Sequence, residues 1–268
     1  MRARPIDDPL RRVLHDEIHA RPPARLLPPE RVGPLALRIP PGEAAAEEEA
    51  LRALALQHGL PAPSFDSGYL WLDCGTYRLK WERHTEYSGF TVFRAVGPDA
   101  VADTSAFDEV PAVWRARLPG TTILYAEVDV RDGAGVDVEA EVAAYGDAAV
   151  IGARVSGGAG VVLTDLRMDE GGCTHFAVFD LALTGRQAGR IVQRLLEIET
   201  YRMMALLAFP VARESSARLG DAERRLSAIT ARMAATAPSD EGALLDDLMQ
   251  LAAEVEERDA ATRFRFGA

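Results

Sequence analysis

His15 and His19, in the string HDEIH, stand four residues apart. On a helix that spacing puts both imidazoles on one face, where they can chelate a divalent metal. The zinc-protease pattern does not apply, because here the glutamate follows the first histidine by two positions and not one. A third ligand would have to come from elsewhere, and His84, Glu86 and Asp165 are the candidates. Glu82, Arg83, His84 and Glu86 also cluster at a predicted hairpin tip, where neighbouring carboxylates raise a histidine's pKa towards physiological pH and suit it to general acid–base work. Structural roles weigh more in both cases: helix-end histidines bond to backbone, and a charged hairpin end is ordinarily solvated. A third group is a pair of charges, Glu199 and Arg202, set among apolar residues at i and i+3. They are expected to lie buried beneath a sheet, bonded to each other and to a second pair, Asp165 and Arg167, that flanks Leu166 on a predicted strand. This network is read as fixing how helix docks on sheet, in preference to a ligand or ion site.

No other string carries a reaction. DGAG at Asp132 lacks the third glycine of a dinucleotide loop, and SGGAG at Ser156 joins two predicted strands where a phosphate loop should precede a helix. Neither GxSxG nor a Walker loop is present. An enzyme is therefore not indicated, no organic cofactor is called for, and a divalent metal is carried only as an alternative.

The elements that must position these groups begin with the longest helical run, Gly185 to Glu214. Strong helix formers dominate it, Thr184 is its N-cap candidate, and Ile191, Leu195, Ile198, Met203 and Leu206 share a face. Upstream, a short helix is expected from 8 to 20 and a proline-rich arm to Pro34. Strand, helix, three strands, helix then occurs from Val32 to Leu118 and again from Thr121 onwards. The strands are expected at 32–39, 69–73, 77–83, 90–96, 121–130, 148–155, 160–168 and 174–183, and the helices at 43–58, 105–118 and 136–145. The fold class is α/β (α+β), a sheet sandwich with covering helices in which Trp81 and Phe176 are core. Duplication and coincidence explain the repeated order equally well. After Glu214, Leu219, Ala222, Leu226, Ile229 and Met233 step in heptad fashion, and Leu244, Leu248, Leu251 and Val255 resume the pattern after Pro238, which reads as an antiparallel helical hairpin with coiled-coil spacing. The domains are 1–31 (N-terminal helix and arm), 32–184 (α/β) and 185–268 (helical extension).

A net charge of −11 argues against nucleic acid or an anionic lipid surface as a partner, since both demand a basic face. Cys74 and Cys173 lie far apart with no CxxC spacing, so a reducing compartment is expected. No stretch is apolar enough to span a bilayer, and no apolar segment follows the basic residues at the start as a secretory signal requires.

Several strings together resemble one family: HDEIHARPP at His15, LKWERHTEYSGFTVF at Leu79, TDLRM at Thr164, GRIVQRLLEIETYRMMALLAFPVARE at Gly189, and LAAEVE and RFGA near the end. They resemble the bacterial domain-of-unknown-function 3422 family, described as uncharacterised membrane-anchored proteins, across nearly the whole chain. The resemblance implies more helix and a hydrophobic C-terminal anchor beyond this sequence, and brings no established activity. The chain is thus read as the soluble domain of a protein at the cytoplasmic face of the inner membrane, acting by assembly or ligand sensing. Self-association is expected through the helices after Glu214, with Phe264 and Phe266 adding apolar surface. Two alternatives stand beside this: a regulatory domain of a CorA-like divalent-cation transporter, by analogy of outline only, and a metal-dependent hydrolase using His15 and His19.

Overall fold

Strand alternation and proline placement account for most of the first two hundred residues. The computed structural model describes residues 8–12, 22–97, 105–233 and 241–266. His15, His19 and most of the expected first helix lie outside them. The chain forms two compact units, one up to Thr200 and one from Tyr201. In the first, β1 (Glu30–Arg38) leads through α1 (Ala44–Gln57) to β2 (Tyr69–Asp73), β3 (Arg78–Arg83) and β4 (Ser88–Ala95), followed by a 3-10 turn (Ala106–Glu109) and α2 (Ala112–Arg115). Then come β5 (Thr121–Asp132), α3 (Val138–Ala143), β6 (Ile151–Val155), β7 (Gly160–Thr164), β8 (Thr174–Asp180) and α4 (Gly185–Leu206).

The described strands form one eight-stranded mixed sheet in the order β2-β3-β4-β1-β5-β8-β7-β6. The mixed α/β class with covering helices is as expected, with a single sheet among the described strands. Each half places its first strand inside, and β1 and β5 join the halves by antiparallel pairing. The repeated element order is nonetheless not a repeated geometry. β1 pairs with β4 antiparallel whereas β5 pairs with β8 parallel, so no rotation superposes one half on the other.

On one face of the first half, Leu79, Trp81, Phe90 and Val92 pack with Leu51, Leu54 and Ala55 of α1 and with Phe107 and Trp114. Gly33 makes this approach possible, since a Cβ there would stand 2.7 Å from the Phe107 ring. The helix expected from 105 to 118 is split, because Pro111 forces Val110 into extended conformation between the two short turns. Beneath α1 lies Glu47, fully buried, its carboxylate accepting from Trp81 Nε1 at 2.8 Å and Arg83 Nη2 at 2.7 Å. In the second half, Val161, Leu163, Ala177 and Phe179 cluster with Val138 of α3 and with Tyr145. Residues of opposite parity, Val32, Ala126, Val128, Val130, Phe176 and Val178, are buried on the other face. Trp81 and Phe176 are both buried, as expected of core positions.

Two expectations need correction. β7 stops at Thr164, so Asp165 and Arg167 do not alternate on a strand; Leu166 takes φ 54°, and the Asp165 side chain accepts from Arg167 N at 3.0 Å in a local turn. The buried side of α4 carries Ala188, Val192 and Glu199, while Ile198 and Leu206, expected inside, are exposed. Gly189 lies against the proline-rich arm, where a Cβ would collide with the Ala24 carbonyl oxygen, and Leu26 N donates to Gly185 O at 3.0 Å.

In the second unit the helical run breaks at Leu207, since Pro210 has no N–H to give the Leu206 carbonyl. α5 (Ala208–Met233) and α6 (Glu241–Phe266) form the expected antiparallel hairpin. Ile229, Leu244 and Leu251 pack together, and Arg225 pairs with Glu254 and Arg232 with Asp247, the rising number meeting the falling one.

Glu47→Ala should cost about 3 kcal/mol or more in urea denaturation, the scale for breaking a buried ion pair from one side. The partly exposed neighbour change Glu48→Ala should cost less than about 1 kcal/mol. Equal costs would show that burial of Glu47 contributes nothing particular. Gly33→Ala should destabilise by about 1–3 kcal/mol through overpacking against Phe107, measurable in the same titration.

Candidate functional site

The inner strands β1, β5 and β8 carry charge on the face where the flanking strands carry core. Register places Arg31 opposite Asp129, and Glu127 beside His175. Period-two alternation therefore sets Arg31, Tyr125, Glu127, Asp129, Arg131 and His175 on one face, between the two apolar clusters. With Ser105, Tyr145, Asp169 and Cys173 they line a cleft of about 570 Å³.

Glu127 is held from the side of the 3-10 turn. The Ser105 hydroxyl donates to its Oε1, and Ala106 N donates to both oxygens at 3.1 and 3.2 Å. The same hydroxyl accepts from Phe107 N at 3.0 Å, capping the turn. Burial pushes the Glu127 carboxyl above the usual glutamate value, against the opposing effect of the Ser105 and Ala106 bonds and of Arg31 and His175.

The loop from β7 to β8 folds back tightly. Asp169 N donates to Cys173 O at 2.9 Å, Cys173 N donates to Asp169 Oδ1 at 2.9 Å, and Gly172 supplies the φ of 77° that the turn needs. The other carboxylate oxygen, Asp169 Oδ2, meets His175 Nε2 at 2.9 Å. That bond, foremost, holds the Asp169 carboxyl below its ordinary value. Cys173 is buried, and its thiol is pushed up to about 12 by desolvation first and by Glu127 and Asp169 next. A thiol so firmly protonated is not an activated nucleophile. One ligand atom from each of Asp169, Cys173 and His175 lies within 4.8 Å of the other two.

The residues singled out by sequence are dispersed. His84 stacks on Tyr87 with ring centroids 4.2 Å apart, and Glu86 is exposed in the same turn. His84 follows β3 and Asp165 follows β7, five strand spacings away, on the order of 24 Å. Each is an alternative third ligand to His15 and His19, a pair that lies outside the described residues. Glu199 is buried, Arg202 and Arg167 are exposed and Asp165 is half-buried, so the charges expected together beneath the sheet do not share one burial. Asp169, Cys173 and His175 were legible only as three ligand types within one short string about Gly171-Gly172, and Glu127, Asp129 and Arg131 as charges alternating with Ala126, Val128 and Val130.

A family model described as "Protein of unknown function (DUF3422)" matches residues 6–268. The chain belongs to the DUF3422 family. No curated protein and no solved structure matches it. Among the described residues of this DUF3422 chain, no helix is long and apolar enough to cross a membrane.

Glu127 gives a signed pH prediction. Its carboxyl is raised in the folded state, so the folded protein keeps that proton longer than the unfolded chain does. The associated stability is present at low pH and is lost as pH rises through the raised value. Glu127→Gln should remove that loss, so its melting temperature relative to the parent should climb between about pH 4 and about pH 8. A difference independent of pH would show that Glu127 is not held against ionisation.

Proposed function

We propose that this DUF3422 chain is a ligand-sensing module, working by binding and assembly and not by covalent chemistry, and that its cleft takes a small zwitterion of amino-acid type. The observation that carries this is the presence of both signs of charge on the inner strands of the sheet, a place otherwise filled by apolar side chains. Arg31 and Arg131 suit a carboxylate, Glu127 and Asp129 suit an ammonium group, and Tyr125 and Tyr145 offer aromatic surface between them. Arg131 meets Asp129 at 2.6 Å and Glu141 at 3.3 Å, so a zwitterion exchanges internal ion pairs for external ones and leaves neither sign unpaired. The protonated Cys173 thiol supports binding over nucleophilic attack.

Assembly is the second half of the proposal. Leu219, Leu226, Leu245, Leu248, Met249 and Val255 are exposed on the hairpin of α5 and α6, more apolar surface than two helices ordinarily leave to water. We assign self-association to this hairpin. A location at the cytoplasmic face of the inner membrane, through a further segment, belongs to the same proposal; it is supported by the family resemblance and by two cysteines that are both free.

Chelator-treated protein, melted against a panel of free amino acids, should gain stability with at least one of them. The gain should rise with the logarithm of ligand concentration, reaching about 2.7 kcal/mol at a hundred times Kd. Glu127→Gln and Arg31→Met should abolish it while remaining folded. No gain from any amino acid would remove the zwitterion proposal. For assembly, sedimentation should show a concentration-dependent dimer that Leu226→Glu and Leu248→Glu dissociate; a monomer at every concentration would end that half.

A further inference from the structure

We propose that Asp169, Cys173 and His175 form a zinc site at the rim of the cleft, holding one Zn²⁺ through a carboxylate oxygen, a thiolate sulfur and an imidazole nitrogen. The donor set selects the metal. Calcium and magnesium take oxygen ligands, whereas one sulfur, one nitrogen and one oxygen suit borderline-soft zinc. Zinc bond lengths of about 2.0 to 2.3 Å require ligand atoms about 3.3 to 3.8 Å apart in a tetrahedron. The three atoms already lie within 4.8 Å of one another, so side-chain rotations that move them by about an ångström complete the set.

The backbone has done the costly part beforehand. The bonds from Asp169 N to Cys173 O and from Cys173 N to Asp169 Oδ1 fix the two residues across a tight turn, and β8 carries His175 two positions on. Capping that turn needs only Oδ1. Asp169 Oδ2, His175 Nε2 and the sulfur converge beyond it, where an exposed Asp–His pair alone would contribute little to stability. Asp169 and His175 are each about half exposed, which leaves an entry path from solvent, while the sulfur is buried beneath them. On binding, the Cys173 thiol gives its proton to solvent and the sulfur bonds to zinc. His175 gives the Nε2 proton of its bond to Asp169 to solvent and, as a neutral ring with its one proton on Nδ1, lends Nε2 to the metal. Asp169 Oδ2 exchanges its bond to the imidazole for one to the metal. Three protein ligands leave a fourth position for water or for a donor atom of a molecule in the cleft.

The site is independent of the zwitterion proposal, since zinc is titrated without amino acids and amino acids are titrated after chelation. Equilibrium dialysis of the full chain against zinc should give one ion per chain, and cobalt in its place should show a thiolate-to-metal charge-transfer band in the near ultraviolet. Cys173→Ser should abolish the band. Asp169→Asn and His175→Gln, both at exposed positions and expected to fold, should weaken zinc binding by about 10- to 100-fold or more, since even outer partners of a metal count on that scale. Cys74→Ser and the double change His15→Ala, His19→Ala should leave binding as it was. The proposal is overturned if the parent protein takes up no zinc. It is equally overturned if the band survives in Cys173→Ser, or if affinity follows Cys74 or the His15/His19 pair.

Discussion

The antiparallel pairing of β1 with β5 is the constraint on which the remainder of the first unit depends. It turns two half-sheets into one and fixes which side chains share a face. Val32 meets Val128 on the face that the inner strands bury, and by the same alternation Arg31 meets Asp129 on the face that holds the cleft. Because the side-chain period is two, a slip of one residue would bury the charges and expose the valines. Core and cleft are therefore one decision about register, and neither can be altered alone.

Two carboxylates removed from water show different solutions to the same electrostatic problem. Glu47 is matched by Arg83 and by the indole N–H of Trp81, so its charge is compensated where it lies and the group serves packing. Glu127 accepts from the Ser105 hydroxyl and from Ala106 N, and burial prevails in raising its carboxyl. A compensated carboxylate fixes helix to sheet. One whose carboxyl burial raises, beside His175 and Arg31 in an open cleft, is available to a ligand, which is why the cleft and not the α1 contact is the functional candidate.

The segment after β7 has no repeating pattern, and its order comes from short-range turn chemistry. Thr164 Oγ1 accepts from Leu166 N and donates to His175 O, Asp165 closes the next turn, and Asp169 closes the one that carries Gly172. Each bond spans only a few residues along the chain or reaches to the neighbouring strand. Together they take Cys173 into the interior and set His175 on the face of Glu127.

By itself the sequence determined the element types and most of their ends, because alternation in Arg78–Arg83, proline and glycine stops around α1, and heptad spacing in α5 and α6 are local signals that short stretches of backbone obey. It also determined the mixed α/β class, the antiparallel hairpin and the family. Tertiary structure alone decided the sense of β8 against β5, which made the two halves unlike, and the rotation of α4, which buried Glu199 and exposed Ile198 and Arg202. It alone decided the site: Arg31, Glu127 and His175 are far apart in the chain and meet only through strand pairing, while His84 and Asp165, equally suggestive as residue types, end on opposite halves of the sheet. Residue type tells what chemistry a side chain can do, and position across a sheet is set by long-range hydrogen bonds that no local pattern encodes.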